Sequence, residues 1–586
     1  EDRVEADALT RIIGATSGDS PCWVGSVKPE IGHTGSASGL ASVLRAALSL
    51  YHQLLPPFGH PRLDPTPWNN CPRQFATPAA AQYWLRNRAE GPRRALVTSL
   101  GGDGSCSAVV LEGLSGKGKR PSQFLQHPLG PLREGLFALG GTTVADIQEQ
   151  IDTLEQLRQK QAQTGMDHLA RLRFLAQPPA TTPARCLALV AASSEELYQQ
   201  LSFARRWLQE HPEQRLDGNG NPSLPAAIRD RLFYAPEPLA TRGRMAFIFP
   251  GSGNHFAGMG RDLSSRWADI FRIQDARSQY LIRQYLPQHF WGNELAESIH
   301  DNHNALVSAQ VALGTAVSDL VRSFGIEPQA VSGYSLGESA GLFSFDAWQD
   351  REGMSRRLRE STLFTESLAG PCRAAHQTWK LSPEETVDWA ICLVPVAAGK
   401  VRQALSAFSR VYLLIINTYE ECVLGGDRQQ LEQLVSQLGC PSIPLRGITT
   451  VHCEVVDPVA QAYRDLHRFP TTPPEDIRFY RCGLGHSYEL DEESVADAIL
   501  NQALATIDYP RLVEQLYADG VRIFLEMGPG NSCSRMISRI LKDRPHLTRA
   551  ACLPGQDAAS LILRLLAQCL AEGIAVDLRK LYPDAP

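Results

Sequence analysis

The chain has 586 residues, 43% apolar and 20% charged, a balance that fits a folded chain and argues against a disordered or fibrous one. Fifty-seven basic against 63 acidic side chains leave a net charge of −6, so no excess of Lys and Arg points to nucleic acid. No apolar run of about 18 residues reads as a membrane span, and no signal-peptide pattern opens the chain. Thirteen Cys without a C-x-x-C pair read as reduced thiols of a cytoplasmic protein rather than a disulfide framework or a metal site. The length allows about three to five domains, and the missing initiator Met reads as a fragment or a processed product.

In chain order, the first block spans about residues 1–115. It reads as a helix from Val4 to Gly14, a glycine-rich loop from Gly32 to Gly39, a helix from Ala41 to Leu50, and a strand from Ser107 to Leu111. Residues 115–121, Ser-Gly-Lys-Gly-Lys-Arg-Pro, form a polar linker. The stretch 143–175 is Leu-, Gln- and Glu-rich and reads as helical. Cys186–Ala191 predicts a strand, and Ser193 opens a helix carrying Leu197, Leu201, Ala204 and Leu208 at helical spacing. Asp217 to Pro225 is a turn cluster.

Met245–Pro250 then reads as a buried strand that runs straight into Gly251-Ser252-Gly253-Asn254. Apolar positions from Leu306 to Phe324, closed by Gly325, predict an amphipathic helix, and Ala330–Ser332 a further strand. Strand, tight glycine turn and helix in alternation imply an α/β fold with a largely parallel sheet. Residues 391–441 break the pattern. Their order is strand (391–396), helix, strand (411–416), strand (422–424) and helix (428–438), as in a small inserted α+β layer.

The strongest chemical signal is Gly333-Tyr334-Ser335-Leu336-Gly337, a G-x-S-x-G between a predicted strand and a predicted helix. Small residues on either side permit a sharp turn that exposes the Ser335 hydroxyl. The amide of Leu336 is left facing a developing oxyanion at the helix N-terminus. A serine nucleophile needs a base, and the downstream candidates are His376, His452, His467 and His486. Of these, His452 lies where the chain should return to the core after the inserted layer. Gly251-Ser252-Gly253 offers a second amide or a plain turn, and the turn at Glu526-Met-Gly-Pro-Gly-Asn531 has the same two readings. His300 and His303 have no evident third ligand, so no metal site is expected. The glycine loops lack nucleotide-binding spacing.

Together these motifs resemble the acyltransferase domains of type I polyketide and polyunsaturated fatty acid synthases. They are Phe249–Asn254 with Gly258–Leu263, Gly333–Glu338, Asn417 with Gly425–Asp427, His452, and Glu526–Gly530, in order over about residues 243–555. The resemblance implies an α/β-hydrolase-like core with an inserted ferredoxin-like subdomain, and a Ser335–His452 dyad. Backbone amides of Leu336 and Ser252 would form the oxyanion hole, and Asn417 would contribute to substrate binding. No resident cofactor is implied. Acyl-coenzyme A would be the donor, and the phosphopantetheine thiol of a partner acyl carrier protein the acceptor.

Ser252 stands where Gln is usual, and Tyr334 where His is usual. Malonyl-type members place an Arg about 25 residues after the nucleophile to pair with the substrate carboxylate. Glu360 occupies that position, with Arg359 one residue earlier and about 100° away around a helix. Arg356, Arg357 and Arg359 crowd that helix and favour malonyl as the acyl group, against a solvated basic face.

The front of the chain resembles the C-terminal part of a β-ketoacyl synthase, thiolase-like in fold. Val4–Leu9 is similar to the segment after that family's first catalytic His. Gly25–Thr34 is similar to its Lys-and-His motif, which places Lys28 and His33, and Ser99–Gly104 matches its late glycine turn. Glu30 replaces a usual Asn, and Leu100 a usual Phe. The family's nucleophilic Cys motif and first His are absent from this sequence, so the block alone is not expected to condense acyl groups.

The resemblance therefore implies a ketosynthase C-terminal fragment at 1–115 and a linker domain with an extra helical segment at 116–242. An acyltransferase follows at 243–560, with its insertion at about 372–445, and then a tail at 561–586. Residues 250–254, 333–339 and 362–365 are most similar to polyunsaturated fatty acid or heterocyst-glycolipid synthase subunits. Other synthase domains would be partners, with dimerisation through the ketosynthase part. Transfer of a non-carboxylated acyl group, thioester hydrolysis by the same dyad, and a non-catalytic scaffold are the alternatives.

Overall fold

The computed structural model describes residues 7–9, 11, 21–59, 75–101, 104–114, 128–176, 184–216, 224–447 and 449–583. Most of the helix expected at Val4–Gly14, the linker at 115–121 and most of the 217–225 turn lie outside the described residues. The chain divides into two compact units. One comprises residues 1–130 with Phe256–Ile299, and the other Pro131–His255 with His300–Pro586.

In the first unit, α1 (Ser38–His52) extends the helix expected from Ala41, and the antiparallel pair β1 (Arg94–Leu100) and β2 (Cys106–Glu112) follows. Leu40, Leu44 and Leu48 recur at i, i+4, i+8 on an exposed face of α1. Within this unit Asp275 pairs with both Arg86 and Arg93, and the Tyr83 amide donates to Ser264 Oγ.

The second unit opens with a three-stranded antiparallel sheet of β3 (Gly135–Gly141), β4 (Arg185–Ala191) and β5 (Leu232–Tyr234). The stretch expected to be helical holds two helices, α2 (Val144–Lys160) and α3 (Met166–Ala176). They part at Gln161–Gly165, where Gly165 and the β-branched Thr164 weaken helical continuity. The helix α4 (Ser194–Glu210) starts where Ser193 Oγ accepts the Glu196 amide, a cap of about 1 kcal/mol. Leu197, Leu201, Ala204 and Leu208 are buried along its inner face.

The central sheet has six strands. β6 (Arg244–Phe249) lies in the middle, with β7 (Ala330–Gly333) on one side and, beyond it, β12 (Arg478–Tyr480) and β13 (Ser487–Tyr488). β15 (Val521–Glu526) and β16 (Leu547–Ala550) lie on the other side. All pairs are parallel except β12–β13. The central strands β6, β7 and β15 are buried on both faces, as helix-covered parallel strands must be. α5 (His303–Arg322) has the length and mean hydropathy of a membrane span, although polar residues interrupt its apolar sequence. It is the helix expected from the apolar pattern of Leu306 to Phe324, and it lies in the core, buried over most of its surface.

The inserted layer is a five-stranded sheet in the order β11-β8-β10-β9-β14. β8 (Trp389–Val394), β9 (Val411–Thr418), β10 (Glu421–Asp427) and β11 (Ile443–Pro444) come from the insertion, covered by α8 (Ala398–Leu405) and α9 (Arg428–Leu438). The fifth strand, β14 (Ile507–Asp508), arrives from far downstream and pairs in parallel with β9.

Candidate active site

Ser335 sits between β7 and α6 (Gly337–Ser344), with φ at 53°. This left-handed conformation is costly for a residue with a Cβ and persists only where the surroundings impose it. The flanking glycines impose it here. A Cβ on Gly333 would run into the backbone of Gly337 and Glu338, and one on Gly337 into the Phe249 carbonyl. The strand therefore turns into the helix within van der Waals contact of β6, leaving Ser335 at the apex.

His452 is buried and also holds a positive φ, 70°. Its Nε2 lies 2.9 Å from Ser335 Oγ, and its Nδ1 lies 2.6 Å from the Gln502 carbonyl. A carbonyl only accepts, so Nδ1 carries the proton. In the neutral ring Nε2 is then free to accept from the Ser335 hydroxyl. Burial drives the His452 pKa down to about 4, opposed in part by that Gln502 bond. The Gln502 side-chain amide also reaches the Ser335 carbonyl at 3.4 Å, so one residue contacts both members of the pair.

The three other candidate bases bond elsewhere. His376 donates to the Ser382 carbonyl, His467 to Tyr463 and His486 to Leu484. His300 faces His255 at 3.1 Å, and no group of three metal-ligating side chains occurs among the described residues.

The backbone amides of Leu336 and Ser252 have no hydrogen-bond acceptor among the described residues. Both flank the turn that carries Ser335. Leu336 follows Ser335 directly, and a Cβ added to Gly251 would come within 2.6 Å of the Tyr334 carbonyl oxygen. The third turn braces the first, since Gly528 at φ 149° lies against the Pro250 ring and Gly530 against Asn254. The buried Glu526 carboxyl accepts the Cys533 and Ser534 amides at the start of α10 (Ser532–Leu541), while burial pushes its pKa up to about 7.

Asn417, expected to meet substrate, is buried and engaged within the protein. Its Oδ1 accepts from the Tyr334 hydroxyl at 2.7 Å, and its Nδ2 donates to Glu421, which pairs with Arg539. The side chain ties the inserted sheet to the turn that carries Ser335. Tyr334 can make this bond because its hydroxyl extends beyond the reach of an imidazole.

Arg359 ends α7 (Arg351–Glu360), is exposed, and has no hydrogen-bond or ion-pair partner among the described residues. Arg357 is occupied, donating to the Arg468 carbonyl and lying 4.9 Å from the Phe469 ring centre. Lys28 and His33 are both exposed in the first unit, and His33 Nδ1 accepts the Gly35 amide. Two contributors are not apparent from sequence. Gln502 acts on His452 through its main chain and so has no side-chain signature. Gln310, which donates to the Gly251 carbonyl, shows only as a polar residue in the apolar run of α5.

Comparisons with known proteins agree with this layout. Residues 1–61 match the family model of the β-ketoacyl synthase C-terminal domain. The acyltransferase domain from the second module of the salinomycin polyketide synthase superposes on 74% of this chain and 93% of its own, with a TM-score of 0.52 at 22% identity. The chain carries the acyltransferase fold. A polyunsaturated fatty acid synthase polypeptide of a Thraustochytrium species is 26% identical over 94% of this chain. A mycocerosic acid synthase-like polyketide synthase of Mycobacterium tuberculosis is 26% identical over 99%. The chain spans 28% and 26% of the lengths of those relatives. It is therefore similar to a ketosynthase–acyltransferase region of type I polyketide and polyunsaturated fatty acid synthases, with a mixed α/β acyltransferase fold and a thiolase-like C-terminal segment at its front.

Proposed function

We propose that the chain is an acyltransferase that moves an acyl group, malonyl in first place, from coenzyme A to the phosphopantetheine thiol of an acyl carrier protein. The observation that carries this reading is the 2.9 Å contact between Ser335 Oγ and a His452 ring whose other nitrogen is committed to a carbonyl. Ser335 Oγ attacks the thioester carbonyl as His452 Nε2 takes its proton. The tetrahedral oxyanion receives the Leu336 and Ser252 amides. Collapse breaks the carbon–sulfur bond, and the departing thiolate takes the proton from Nε2. The carrier thiol then repeats the sequence in reverse, leaving Ser335 free. A serine hydrolase of the α/β-hydrolase type would use an acid to orient the histidine, and here a main-chain carbonyl does so.

The domain division at 115, 242 and 560 belongs to this reading, as do cytoplasmic localisation and partnership with other synthase domains. Lys28 and His33 are read as the ketosynthase part of the layout, without condensation by this chain alone.

Intact-mass measurement after incubation with malonyl-, acetyl- and long-chain acyl-coenzyme A tests the function. Malonyl should load fastest, and the preference should fall about 10- to 100-fold in Arg359→Ala, the value of one charge-assisted bidentate contact. Equal loading of acetyl by the wild type removes the carboxylate clamp. Rapid turnover without carrier protein would favour thioester hydrolysis, and no adduct from any donor would favour a scaffold.

The pH dependence tests the base. His452 works only when neutral, and its depressed pKa keeps it neutral down to about 4. The acylation rate should therefore hold through pH 6 and fall as pH drops through about 4. An acidic limb centred near the ordinary histidine value would contradict a buried base.

A further inference from the structure

The Gly251–Ser252 peptide is held from one side by two side-chain amides. Gln310 Nε2 donates to the Gly251 carbonyl at 2.8 Å, and Asn254 Nδ2 donates to the same oxygen at 2.9 Å. No cis peptide bond occurs among the described residues, and in a trans peptide the carbonyl oxygen and the following N–H point in opposite directions. Fixing the oxygen toward α5 therefore fixes the Ser252 N–H away from it, and that N–H has no acceptor of its own among the described residues.

Gln310 is an unusual occupant of its position. It is 3% exposed, among Leu306, Val311, Leu313 and Val317 of the core helix. Its Oε1 has no hydrogen-bond partner among the described residues, so the side chain's bond to Gly251 is the only one it makes there. Packing alone would be served by Leu or Met, without an unsatisfied buried oxygen. What Gln supplies that they do not is the N–H. Asn254 is placed by the third glycine turn, where a Cβ on Gly530 would approach its Oδ1 to 3.0 Å.

We propose that Gln310 and Asn254 are positioning residues that act through the Gly251 carbonyl to aim the Ser252 amide at the oxyanion of the tetrahedral intermediate. The inference rests on the acyl-transfer reading of Ser335 and deepens it. Both act on the peptide through its carbonyl oxygen. A free peptide could rotate its N–H toward water, and the cost of turning it back would then fall on the reaction step.

The test measures single-turnover acylation of Ser335 by rapid quench and mass spectrometry in Gln310→Met, Asn254→Ala and the double variant. Acyl-coenzyme A affinity is measured separately for each in a Ser335→Ala background. Each single change should slow acylation about tenfold and the pair about 10²- to 10³-fold, the range for losing one oxyanion donor. Affinity and melting temperature should stay at the parent value. Unchanged acylation rates, or a loss of affinity equal to the loss of rate, overturn the proposal. If Gln310→Met fails to fold, Asn254→Ala, at a partly exposed position, decides the matter alone. A wild-type chain that never forms an acyl-enzyme overturns the acyl-transfer reading itself. Normal wild-type acylation with insensitive variants overturns only the aiming of the peptide.

Discussion

Ser335→Ala is expected to leave no acyl-enzyme with any acyl-coenzyme A, and His452→Ala to slow acylation by about 10²- to 10⁴-fold while leaving the nucleophile in place. The difference follows from the geometry. Removing Oγ removes the atom that bonds the acyl carbon. Removing the imidazole leaves a hydroxyl that must lose its proton to water, with the two amides still available to the oxyanion. Intact-mass spectrometry reads the first and single-turnover kinetics the second. An adduct that persists at another residue in Ser335→Ala would sink the assignment of the nucleophile. A His452→Ala enzyme acylating at the wild-type rate would sink the assignment of the base.

Gly333→Ala is expected to cost more than about 4 kcal/mol of stability, enough to abolish the folded second unit in most conditions. Its new Cβ would overlap the Gly337 carbonyl carbon and the Glu338 amide, and a helix N-terminus packed against β6 has no room to retreat. Gly399→Ala is the control. It lies in the first turn of α8, where a Cβ would meet nothing within 4 Å, so it should stabilise by about 0.5–1 kcal/mol. Denaturant unfolding of the two variants separates a steric requirement at the nucleophile turn from a general cost of replacing glycine. A Gly333→Ala protein as stable as the wild type would mean that the turn can open to admit a methyl group.

Both expectations begin in features visible along the chain. G-x-S-x-G between a strand and a helix is a local pattern set by the room around one turn, and sterics between neighbouring residues are fully present in sequence. The helix Arg428–Leu438 and the strand at Ala330 are legible for the same reason, because burial periodicity is written over a few consecutive residues. The break at Gln161–Gly165 is less legible. Its residues are only mildly unfavourable to a helix, and packing decides whether such a stretch continues.

What the sequence determined by itself was the candidate nucleophile, the order of its supporting glycine turns and the α/β character of the core. The tertiary structure decided the contacts, of which the Ser335–His452 pairing was already implied by the motif resemblance. Ser335 and His452 are 117 residues apart, and His452 and Gln502 are 50 apart. Which of four histidines meets the serine, and which carbonyl orients it, therefore depends on how the sheet closes. Tertiary contacts also gave Asn417 its bond to the Tyr334 hydroxyl, brought Ile507–Asp508 into the inserted sheet, and turned Gln310 from a polar interruption in a core helix into a donor at the active-site loop. The physical reason is common to all of them. A hydrogen bond between distant residues needs both in place, and neither residue's neighbours in sequence record where the other will be.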